Sequence, residues 1–254
     1  MDGSIAKLKN VIDGAERVVL FTGAGFSVPS GIPDFRSAGG IYEGKFAGYS
    51  AEYMLSHECL VLHPELFFEF YKSKMLYPDA QPNAAHRYFA ELERQGKLLS
   101  VVTQNIDGLH QKAGSRRVYE LHGSIYRNHC LQCGLSAAPE QIRDSEDVPR
   151  CPRCGGLIKP DVVLYGEPLD EAVLRAAVDA IARADLLIVG GTSLTVYPAA
   201  GLLDEFRGDS LVVINRTPTA ADRRADLLIS EPIGEVLQSL MPHIPAPPRE
   251  KSRP

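Results

Sequence analysis

The segment that most constrains this chain is an apolar run, residues 18–21, that turns almost at once through Gly23, Ala24 and Gly25. An unbroken apolar run of this length is typical of a parallel strand buried on both faces. A glycine turn after such a strand lets backbone amides approach a phosphate, and Ser27 is placed to open a helix whose dipole favours an anion. A plain tight turn also explains the glycines, so this pattern alone leaves both interpretations open.

The residues after this turn have a composition that is unusual for a connecting loop. Residues 31–36 combine a proline, a carboxylate, an aromatic ring and a guanidinium, contributed by Pro33, Asp34, Phe35 and Arg36. Such mixed chemistry is costly to order, and it is found more often in loops that bind ligands than in loops that only join elements. We therefore interpret residues 31–36 as a binding loop.

Two later apolar runs also end in polar or glycine-rich turns. The run at 98–102 leads into TQNIDGLH at 103–110, and the run at 185–189 leads into GGTS at 190–193. Ligands of open parallel sheets bind in the crevice outside the carboxyl ends of the strands. These turns are therefore expected to face one crevice, together with the turn after residues 18–21.

Two smaller signals point to the same edge of the sheet. His122 is followed by a glycine at a predicted strand end, which separates it from the chain's other histidines, whose ordinary place is the surface or a satisfied core position. Asn215 and Arg216 follow the apolar run at 211–214. We take these residues as further candidates for the crevice.

Apolar runs and helical patterns alternate along the chain. This alternation predicts an α/β fold with a doubly wound parallel sheet. Strands are expected at 17–22, 98–103, 185–190, 211–215 and 226–229, and helices at 4–15, 83–95, 171–183, 198–206 and 232–241.

The cysteines are spaced like the ligands of a structural zinc ion. Cys130-x-x-Cys133 and Cys151-x-x-Cys154 are 17 residues apart, and each pair can place two thiolates on one tetrahedral ion. A disulfide reading is weaker, because a chain without an export signal keeps its thiols reduced. Four thiolates close the coordination shell, so the metal is expected to be structural and not catalytic. Cys59, the remaining cysteine, is interpreted as a small core residue.

Length, composition and charge limit the size of the fold and the kinds of partner that this protein is expected to bind. A chain of 254 residues, 44% of them hydrophobic, can form one full core and a small appended module. The net charge of -5 and the lack of a basic stripe give no reason to expect nucleic-acid binding. The N-terminal residues do not resemble a signal peptide, and no apolar stretch approaches the ~20 residues of a membrane helix. We expect a soluble, cytoplasmic protein with no membrane contact, and the oligomeric state stays open.

Together these motifs resemble those of the sirtuins, which are NAD-dependent protein-lysine deacylases. The resemblance rests on GAGFSVPSGIPDFRS, TQNIDGLH, LHG, the paired CxxC motifs, KPDVVLYGE and GTSLTVYPAA, and it extends from about residue 18 to 240. The loop sequence is most similar to that of the compact bacterial and archaeal members. The family fold implies a discontinuous Rossmann-like NAD-binding domain at 1–35, 81–122 and 159–241, a smaller inserted domain with a helical module at 36–80 and a zinc ribbon at 123–158, and a disordered tail at 242–254.

The resemblance implies that NAD is consumed as a co-substrate. The glycine turn is not the GxGxxG fingerprint of a dehydrogenase, and no acidic residue stands at the second strand end to hold a ribose. The residues implied to bind NAD are Gly23, Ala24, Gly25, Phe26, Ser27, Val28, Pro33, Asp34, Phe35, Arg36, Tyr42, Gln104, Asn105, Ile106, Asp107, His122, Gly191, Thr192, Ser193, Asn215, Arg216 and Ile233.

Catalytic roles also follow from the resemblance. It implies that Asn105 and Asp107 hold the nicotinamide carboxamide in a pose that favours cleavage, and that His122 is the general base. The ordinary histidine pKa near 6.5 suits a base that works at about neutral pH. The implied products are free lysine, nicotinamide and an O-acyl-ADP-ribose.

The acyl-lysine substrate is implied to bind as an added strand, which pairs by its backbone with one segment of the chain. That segment comprises Val162, Val163, Leu164, Tyr165, Gly166 and Glu167. Tyr71 and Lys74 stand where relatives that prefer succinyl or malonyl lysine carry a tyrosine and an arginine, and a lysine lacks the bidentate fork of arginine. We therefore expect deacetylation, with removal of acidic acyl groups as a secondary activity.

Three alternatives remain at this stage. An NAD glycohydrolase or a mono-ADP-ribosyltransferase would share nicotinamide release but send the ribosyl group to water or to a side chain. A zinc-ribbon interaction module without activity would need to lack at least one catalytic motif, and none is missing. The sequence does not indicate which proteins are the substrates.

Overall fold

Short apolar segments and amphipathic helices alternate through the chain, and a computed structural model describes residues 2–241 of it. The predicted disordered tail at 242–254 lies outside the described residues. The strands are β1 (Val18–Thr22), β2 (Leu98–Thr103), β3 (Val118–Glu120), β4 (Gly123–Cys130), β5 (Ser136–Ala137), β6 (Ile158–Val162), β7 (Leu186–Gly190), β8 (Ser210–Ile214) and β9 (Leu227–Ile229). The α-helices are α1 (Asp2–Gly14), α2 (Ala51–Met54), α3 (His57–Leu62), α4 (Pro64–Lys74), α5 (Ala84–Arg94), α6 (Leu109–Lys112), α7 (Glu140–Arg143), α8 (Glu171–Arg183) and α9 (Ile233–Ser239). The 3-10 helices are Ala24–Phe26, Val28–Ser30, Ala199–Glu205 and Asp222–Arg224.

Six of the strands form one parallel sheet in the order β3-β2-β1-β7-β8-β9. The predicted doubly wound α/β fold is therefore confirmed. The strand order reverses between β1 and β7. The chain first adds β2 and β3 on one side of β1, and then crosses to the other side to add β7, β8 and β9. The last residue of β1, Thr22, is level with Thr103 of β2 and with Gly190 of β7. The turns after these strands consequently leave the sheet at one edge, where such folds bind ligands.

The sheet has a hydrophobic core on each face because side chains alternate along every strand. In β1, Val19 and Phe21 pack with Ala177 and Ile181 of α8, and Leu20 packs on the opposite face with residues of α1, α5 and α9. All five β1 side chains are buried. Each buried Val, Leu or Phe contributes ~1.5–3 kcal/mol to the free energy of unfolding, so the carboxyl ends of the strands stand on a rigid base.

A second, three-stranded antiparallel sheet in the order β5-β4-β6 has its own core. Phe67, Phe68 and Tyr71 of α4 are buried in it, together with Ile125 of β4 and Ile158 of β6. The helical module at 36–80 and the cysteine-bearing segment at 123–158 thus share one core although 42 residues separate them in sequence. All of β6 pairs with β4, so this small sheet extends past residue 158, where the zinc ribbon was expected to end. The predicted domain limits otherwise stay a prediction.

Three local expectations differ from the structure. Beside the five strands that the alternation predicts, the parallel sheet contains a sixth, β3, which is only three residues long and ends two residues before His122. The segment predicted as a helix at 198–206 is a 3-10 helix, in which Gly201 weakens the α-helical preference. Ser27 does not open an α-helix but lies between two 3-10 turns, and its hydroxyl is engaged elsewhere. No helix among the described residues is long and apolar enough to cross a membrane.

Two buried histidines support the turn after β1 from below. The rings of His86 and His110 lie 4.8 Å apart, and both pack against Phe26. The His110 Nε2 atom is 3.3 Å from the Thr22 hydroxyl, and the backbone N–H of Asn83 donates to His86 Nδ1. Burial lowers the pKa of His110 to about 3 and lowers that of His86 well below its ordinary value of 6.5. Both rings are therefore neutral in the folded protein.

This pair predicts acid sensitivity with a definite sign. The unfolded chain binds protons at these histidines below pH 6.5 and the folded chain does not, so the free energy of unfolding should decrease as the pH falls from about 7 to 5. Each histidine contributes at most about 1.4 kcal/mol per pH unit. Urea titrations of the wild type and of His110→Gln at several pH values measure this, and the variant should show the shallower pH dependence. Equal slopes would contradict the assignment of His110 as a neutral buried group.

Candidate active site

A cavity of about 410 Å³ lies along the carboxyl edge of the parallel sheet and extends to the smaller sheet. Most residues predicted from the sequence line it. They are Gly23, Ala24, Gly25, Ser27, Val28, Pro33, Asp34, Phe35, Arg36, Tyr42, Lys74, Gln104, Asn105, Ile106, Asp107, His122, Val162, Val163, Leu164, Tyr165, Gly166, Glu167, Gly191, Thr192, Ser193, Asn215, Arg216 and Ile233.

Phe26 and Tyr71 do not line this cavity. The Phe26 side chain is fully buried beneath the turn after β1, against His86 and Phe89, so the predicted contact with NAD would have to come from its backbone. Tyr71 is buried in the small core, where its ring stacks on Phe67. Its hydroxyl has no hydrogen-bond partner among the described residues.

The cavity also has lining residues that the sequence reasoning missed. They are Pro29, Ile32, Ser37, Ile41, Leu55, Met75, Tyr77, Ile125, Leu169, Val196, Tyr197, Pro198, Ile214, Thr217 and Pro232. Several directly neighbour a predicted residue in the chain, so a wider window around each motif would have included them. Leu55 and Ile125 come from the smaller core, and no local pattern marks them as facing a cavity.

The glycines after β1 allow two loops to pack against each other. The Gly25 amide donates to the Gly191 carbonyl at 2.8 Å, and a Cβ on Gly191 would collide with the backbone nitrogen of Phe26. Gly191 also has a φ of 61°, which disfavours other residues. The amides of Phe26 and Ser27 bond to carbonyls of the same turn. The glycines thus serve loop packing, the amides of Gly25, Phe26 and Ser27 are engaged within the protein, and phosphate binding at this turn stays a prediction.

Ser27 connects the turn after β1 to the turn after β2. Its hydroxyl donates to Asp107 Oδ2 at 2.6 Å and accepts from the side-chain amide of Asn105 at 3.1 Å. The other carboxylate oxygen of Asp107 accepts from the Leu109 amide. Burial raises the pKa of Asp107 above its ordinary value, although these hydrogen bonds oppose the shift. An amide and a carboxylate are therefore held together in a partly dry corner of the cavity.

Threonine hydroxyls beneath this corner fix the backbone of the second turn. The Thr103 hydroxyl accepts from the Thr22 hydroxyl at 2.8 Å and from the backbone N–H of Asn105 at 3.0 Å. The side-chain amide of Gln104 donates to the Thr192 hydroxyl at 2.9 Å. The turns after β1, β2 and β7 are thus joined by hydrogen bonds between side chains.

His122 lies at the junction of β3 and β4. Its Nδ1 is 3.0 Å from the Gln104 carbonyl oxygen, which can only accept, so Nδ1 carries the proton and Nε2 is left with a lone pair. Burial lowers the pKa of His122, and the bond to the Gln104 carbonyl opposes this shift. The ring is therefore neutral at neutral pH, as a general base must be.

The loop at 33–43, which we call the cofactor loop, folds back on itself over the cavity. The Asp34 carboxylate accepts from the Arg36 amide and from both the amide and the hydroxyl of Ser37. Burial raises the pKa of Asp34, but these hydrogen bonds outweigh it and the net shift is downward. The Phe35 and Tyr42 rings meet edge to face at 5.2 Å. Asp34 therefore acts on the shape of the loop.

The segment implied to bind peptide, residues 162–167, is held in place by Glu167. Its carboxylate accepts from the Leu164 amide at 3.0 Å and from the buried ammonium of Lys159 at 3.0 Å, and it contacts His57 Nδ1 at 2.9 Å. The Tyr165 backbone bonds to Leu55 and His57. The Val163 carbonyl and the Gly166 amide have no partner within the described part of the chain, so an extended peptide could pair with them.

The four predicted cysteine ligands come together beside the smaller sheet. Their sulfur atoms all lie within 4.8 Å of one another, with Cys130 and Cys154 at 3.5 Å and Cys133 and Cys151 at 3.7 Å. Thiolates bound to a tetrahedral zinc at about 2.3 Å lie about 3.8 Å apart. The cluster therefore has the size and the chemistry to bind a structural zinc ion. Cys59 is buried elsewhere in the small core, as expected.

The sheet, the cavity at its carboxyl edge and the four-cysteine cluster define the class of protein. A family model described as the Sir2 family matches residues 23–198, and the chain belongs to this family. The resemblance to the sirtuins is thereby confirmed.

Particular relatives cover nearly the whole chain. The chain is 54% identical over 239 residues to the NAD-dependent protein deacetylase of Clostridium perfringens, a match that spans 93% of this chain and 98% of the relative. A solved Sir2 enzyme with a p53 peptide and NAD+ is 37% identical with a TM-score of 0.82, and the match covers 93% of this chain and 97% of that one. Another, with a deacetylated p53 peptide and 3′-O-acetyl ADP-ribose, is 38% identical with a TM-score of 0.86 and covers 94% and 97%.

The cysteine cluster predicts that the smaller core depends on zinc, because metal binding to such sites supplies folding free energy. Cys130→Ser should lose the metal and lower the melting temperature by roughly 10 °C or more, in line with the large free energy of zinc binding. Elemental analysis and thermal melting measure both effects. Cys59→Ala, at a buried cysteine outside the cluster, is the matched control and should keep its zinc. A stable and active metal-free Cys130→Ser protein would contradict the structural role.

Proposed function

We propose that this protein is an NAD-dependent protein-lysine deacetylase, which transfers the acetyl group of acetyl-lysine to ADP-ribose and releases nicotinamide. The observation that carries the proposal is the arrangement of His122 on the same cavity as Asn105 and Asp107. Its Nδ1 is bonded to a backbone carbonyl, and its Nε2 has no hydrogen-bond partner among residues 2–241. Membership of the Sir2 family and the 54% identity to a deacetylase over almost the whole chain support the same activity.

NAD would lie along the carboxyl edge of the sheet. Its adenosine half would lie at Asn215, Arg216 and Ile233, and its phosphates near Gly191 and Ser193. These residues follow β7 and β8 or begin α9, and all line the cavity. The loop packing after β1 leaves a groove with backbone on both sides and little side-chain bulk. When bound, NAD supplies the glycosidic bond whose cleavage provides the acceptor for the acetyl group.

Asn105 and Asp107 would bind the nicotinamide end. The carboxamide of nicotinamide needs both an acceptor and a donor. The carboxylate oxygens of Asp107 can accept from it, and the side-chain NH2 of Asn105 can donate to it. Ser27 holds the Asn105 amide and the Asp107 carboxylate at fixed positions through bonds of 3.1 and 2.6 Å. A preorganised polar corner of this kind favours one orientation of the ring, which is how positioning lowers a barrier.

His122 would act after nicotinamide has left. Its Nε2 lone pair would accept a proton from a ribose hydroxyl, so that the hydroxyl oxygen can attack the carbon of the acyl group. The Gln104 carbonyl would stabilise the imidazolium formed at that moment, because Nδ1–H already donates to it at 3.0 Å. The histidine therefore needs no change of tautomer during the reaction.

The protein substrate would be bound as an added strand, chiefly through its backbone. The Val163 carbonyl and the Gly166 amide support this, since both are unpaired within the described residues and line the cavity. Backbone pairing gives affinity without demanding particular side chains, so loose preference around the lysine is expected. Four reduced cysteines in one metal site are typical of the cytoplasm, and we propose that the protein acts there.

An uncharged acetyl group is proposed as the preferred acyl substrate. The pair expected to hold an acidic acyl group is not assembled: Lys74 reaches the cavity, but Tyr71 is buried in the small core. The cavity wall on this side is apolar, and it includes Ile106, Ile125 and Leu164. A carboxylate placed there would lose hydration with only one exposed ammonium to offset the loss.

The base assignment predicts the behaviour of His122→Ala. Deacetylation should fall by about 10²–10⁴-fold, the usual contribution of a general base, whereas exchange of labelled nicotinamide into NAD should continue because it precedes the base step. An unchanged melting temperature serves as the control for folding. Near-wild-type deacetylation by the variant would contradict the role.

The pH profile gives a second outcome of the same assignment. Because burial lowers the pKa of His122 from its ordinary 6.5, the base is neutral above pH 7. The value of kcat/KM should therefore be level between pH 7 and 8 and decline only below pH 6.5. A decline that begins above pH 7 would show that His122 has a raised pKa or that another group is the base.

The acyl preference is tested with one peptide that carries acetyl or succinyl lysine. The kcat/KM for acetyl-lysine should be larger by about tenfold or more. The succinyl carboxylate would lose hydration against the apolar wall, and the single exposed ammonium of Lys74 would offset only part of that loss. A preference for succinyl-lysine that disappears in Lys74→Ala would show that Lys74 binds the carboxylate after all.

A further inference from the structure

The cofactor loop is joined to the rest of the protein by few hydrogen bonds. Within the loop, backbone bonds link Ile41 to Asp34 and Tyr42 to Phe35, both at 2.9 Å. Toward the rest of the described chain, its hydrogen bonds are made only by the side chains of Arg36, Ser37 and Tyr42. The loop is thus a compact unit with three polar attachments.

Two of these attachments are weak. Arg36 Nη1 reaches the Ser193 hydroxyl at 3.2 Å, and Arg216 Nη2 reaches the Ser37 hydroxyl at 3.4 Å, both in exposed surroundings. Hydrogen bonds that are long and solvated, between flexible side chains, contribute little to a fixed geometry. The third attachment joins the hydroxyls of Tyr42 and Tyr165.

Tyr165 is a rigid anchor for that third bond. Its amide donates to the Leu55 carbonyl at 2.9 Å, and its carbonyl accepts from the His57 amide at 3.0 Å. Its side chain is 40% exposed, so the ring is not held by burial, and it lines the cavity. The backbone therefore fixes the point from which the Tyr165 ring extends toward Tyr42.

Tyr42 is held in the right direction by its own neighbours. Its ring packs edge to face on Phe35 and lies 5.5 Å beneath the Arg36 guanidinium. Burial and the hydrogen bond with Tyr165 raise the pKa of Tyr42, so its hydroxyl stays protonated and can bond at any working pH. Tyr42 thereby links the loop residues that face the cavity to the anchor.

The loop is flanked by glycines that permit movement. Gly31 and Gly44 have φ values of 85° and 80°, and a Cβ on either would meet nothing within 4 Å. Such open, left-handed positions can change conformation with little steric cost. The glycines therefore let the loop open when its polar attachments and the packing of Phe35, Ile41 and Tyr42 against the smaller core give way.

We infer that the hydrogen bond between the Tyr42 and Tyr165 hydroxyls holds the cofactor loop closed over the cavity, and that Tyr165 is a positioning residue for NAD. Its ring belongs to the peptide-binding segment, but its hydroxyl acts on the cofactor side. The inference rests on the proposed function for the identity of the ligand. The closure of the loop itself follows from the contacts above.

Two phenylalanine variants isolate the hydroxyl pair, because phenylalanine keeps the ring packing. Tyr42→Phe and Tyr165→Phe should each raise the KM for NAD about fivefold, the effect of one lost hydrogen bond, with a much smaller change in kcat. The double variant should be no worse than either single variant, since both remove the same bond. Tyr49→Phe, at an exposed tyrosine away from the cavity, is the matched control and should leave the KM unchanged.

A second readout does not depend on activity. Trypsin can cut after Arg36 in the loop and after Lys45 beside it, and cleavage at these sites in the free protein, followed by mass spectrometry, reports loop opening. Both single variants and the double variant should be cut several-fold faster than the wild type and Tyr49→Phe, because opening is more frequent. Unchanged cleavage in the variants would overturn the inference, as would effects of the two substitutions on KM that simply multiply. If deacetylase activity were absent, faster cleavage would still establish the closure.

Discussion

The site depends on the contact between the turns after β1 and β7, where backbone meets backbone with no side chain between. Gly25 donates to the Gly191 carbonyl at 2.8 Å, and a Cβ on Gly191 would collide with Phe26. This contact spans the point where the strand order reverses. Because the two turns are so close, the residues that follow them face one cavity and the phosphates of a dinucleotide would meet a narrow groove. Larger residues at either glycine would separate the turns.

A continuous set of hydrogen bonds carries this geometry from the core to the reacting groups. Thr22 bonds to Thr103, Thr103 to the Asn105 amide, the Asn105 side chain to Ser27, and Ser27 to Asp107. Each member is at least partly buried, so loss of one partner would leave a polar group unsatisfied at a cost of about 1–3 kcal/mol. Burial of Asp107 raises its pKa and is unfavourable for folding. The fixed polar corner therefore lowers the free energy of unfolding, and the apolar cores compensate for this loss.

The sequence predicts those parts of the fold and the site that depend on neighbouring residues, and it misses contacts between residues far apart in the chain. Apolar runs predicted five of the six strands of the parallel sheet, and the CxxC spacing predicted the members of the cysteine cluster. The glycines after β1 left phosphate binding and a tight turn both open, because their packing partner, Gly191, lies far along the chain. Ser27 was expected to cap a helix, yet its partner is Asp107, 80 residues away. The Tyr42–Tyr165 pair likewise joins segments from distant parts of the sequence, and pairing over such distances leaves no local mark.

The central claim is that cleavage of NAD and removal of the acetyl group are one coupled reaction at this cavity. The most direct test is the stoichiometry of a single incubation with NAD and an acetyl-lysine peptide, with all products quantified by mass spectrometry over time. We predict equal amounts of nicotinamide, deacetylated peptide and O-acetyl-ADP-ribose at every time point. Nicotinamide formed in clear excess, with free ADP-ribose or ribosylated protein and an intact acetyl group, would contradict the account and favour a glycohydrolase or a mono-ADP-ribosyltransferase.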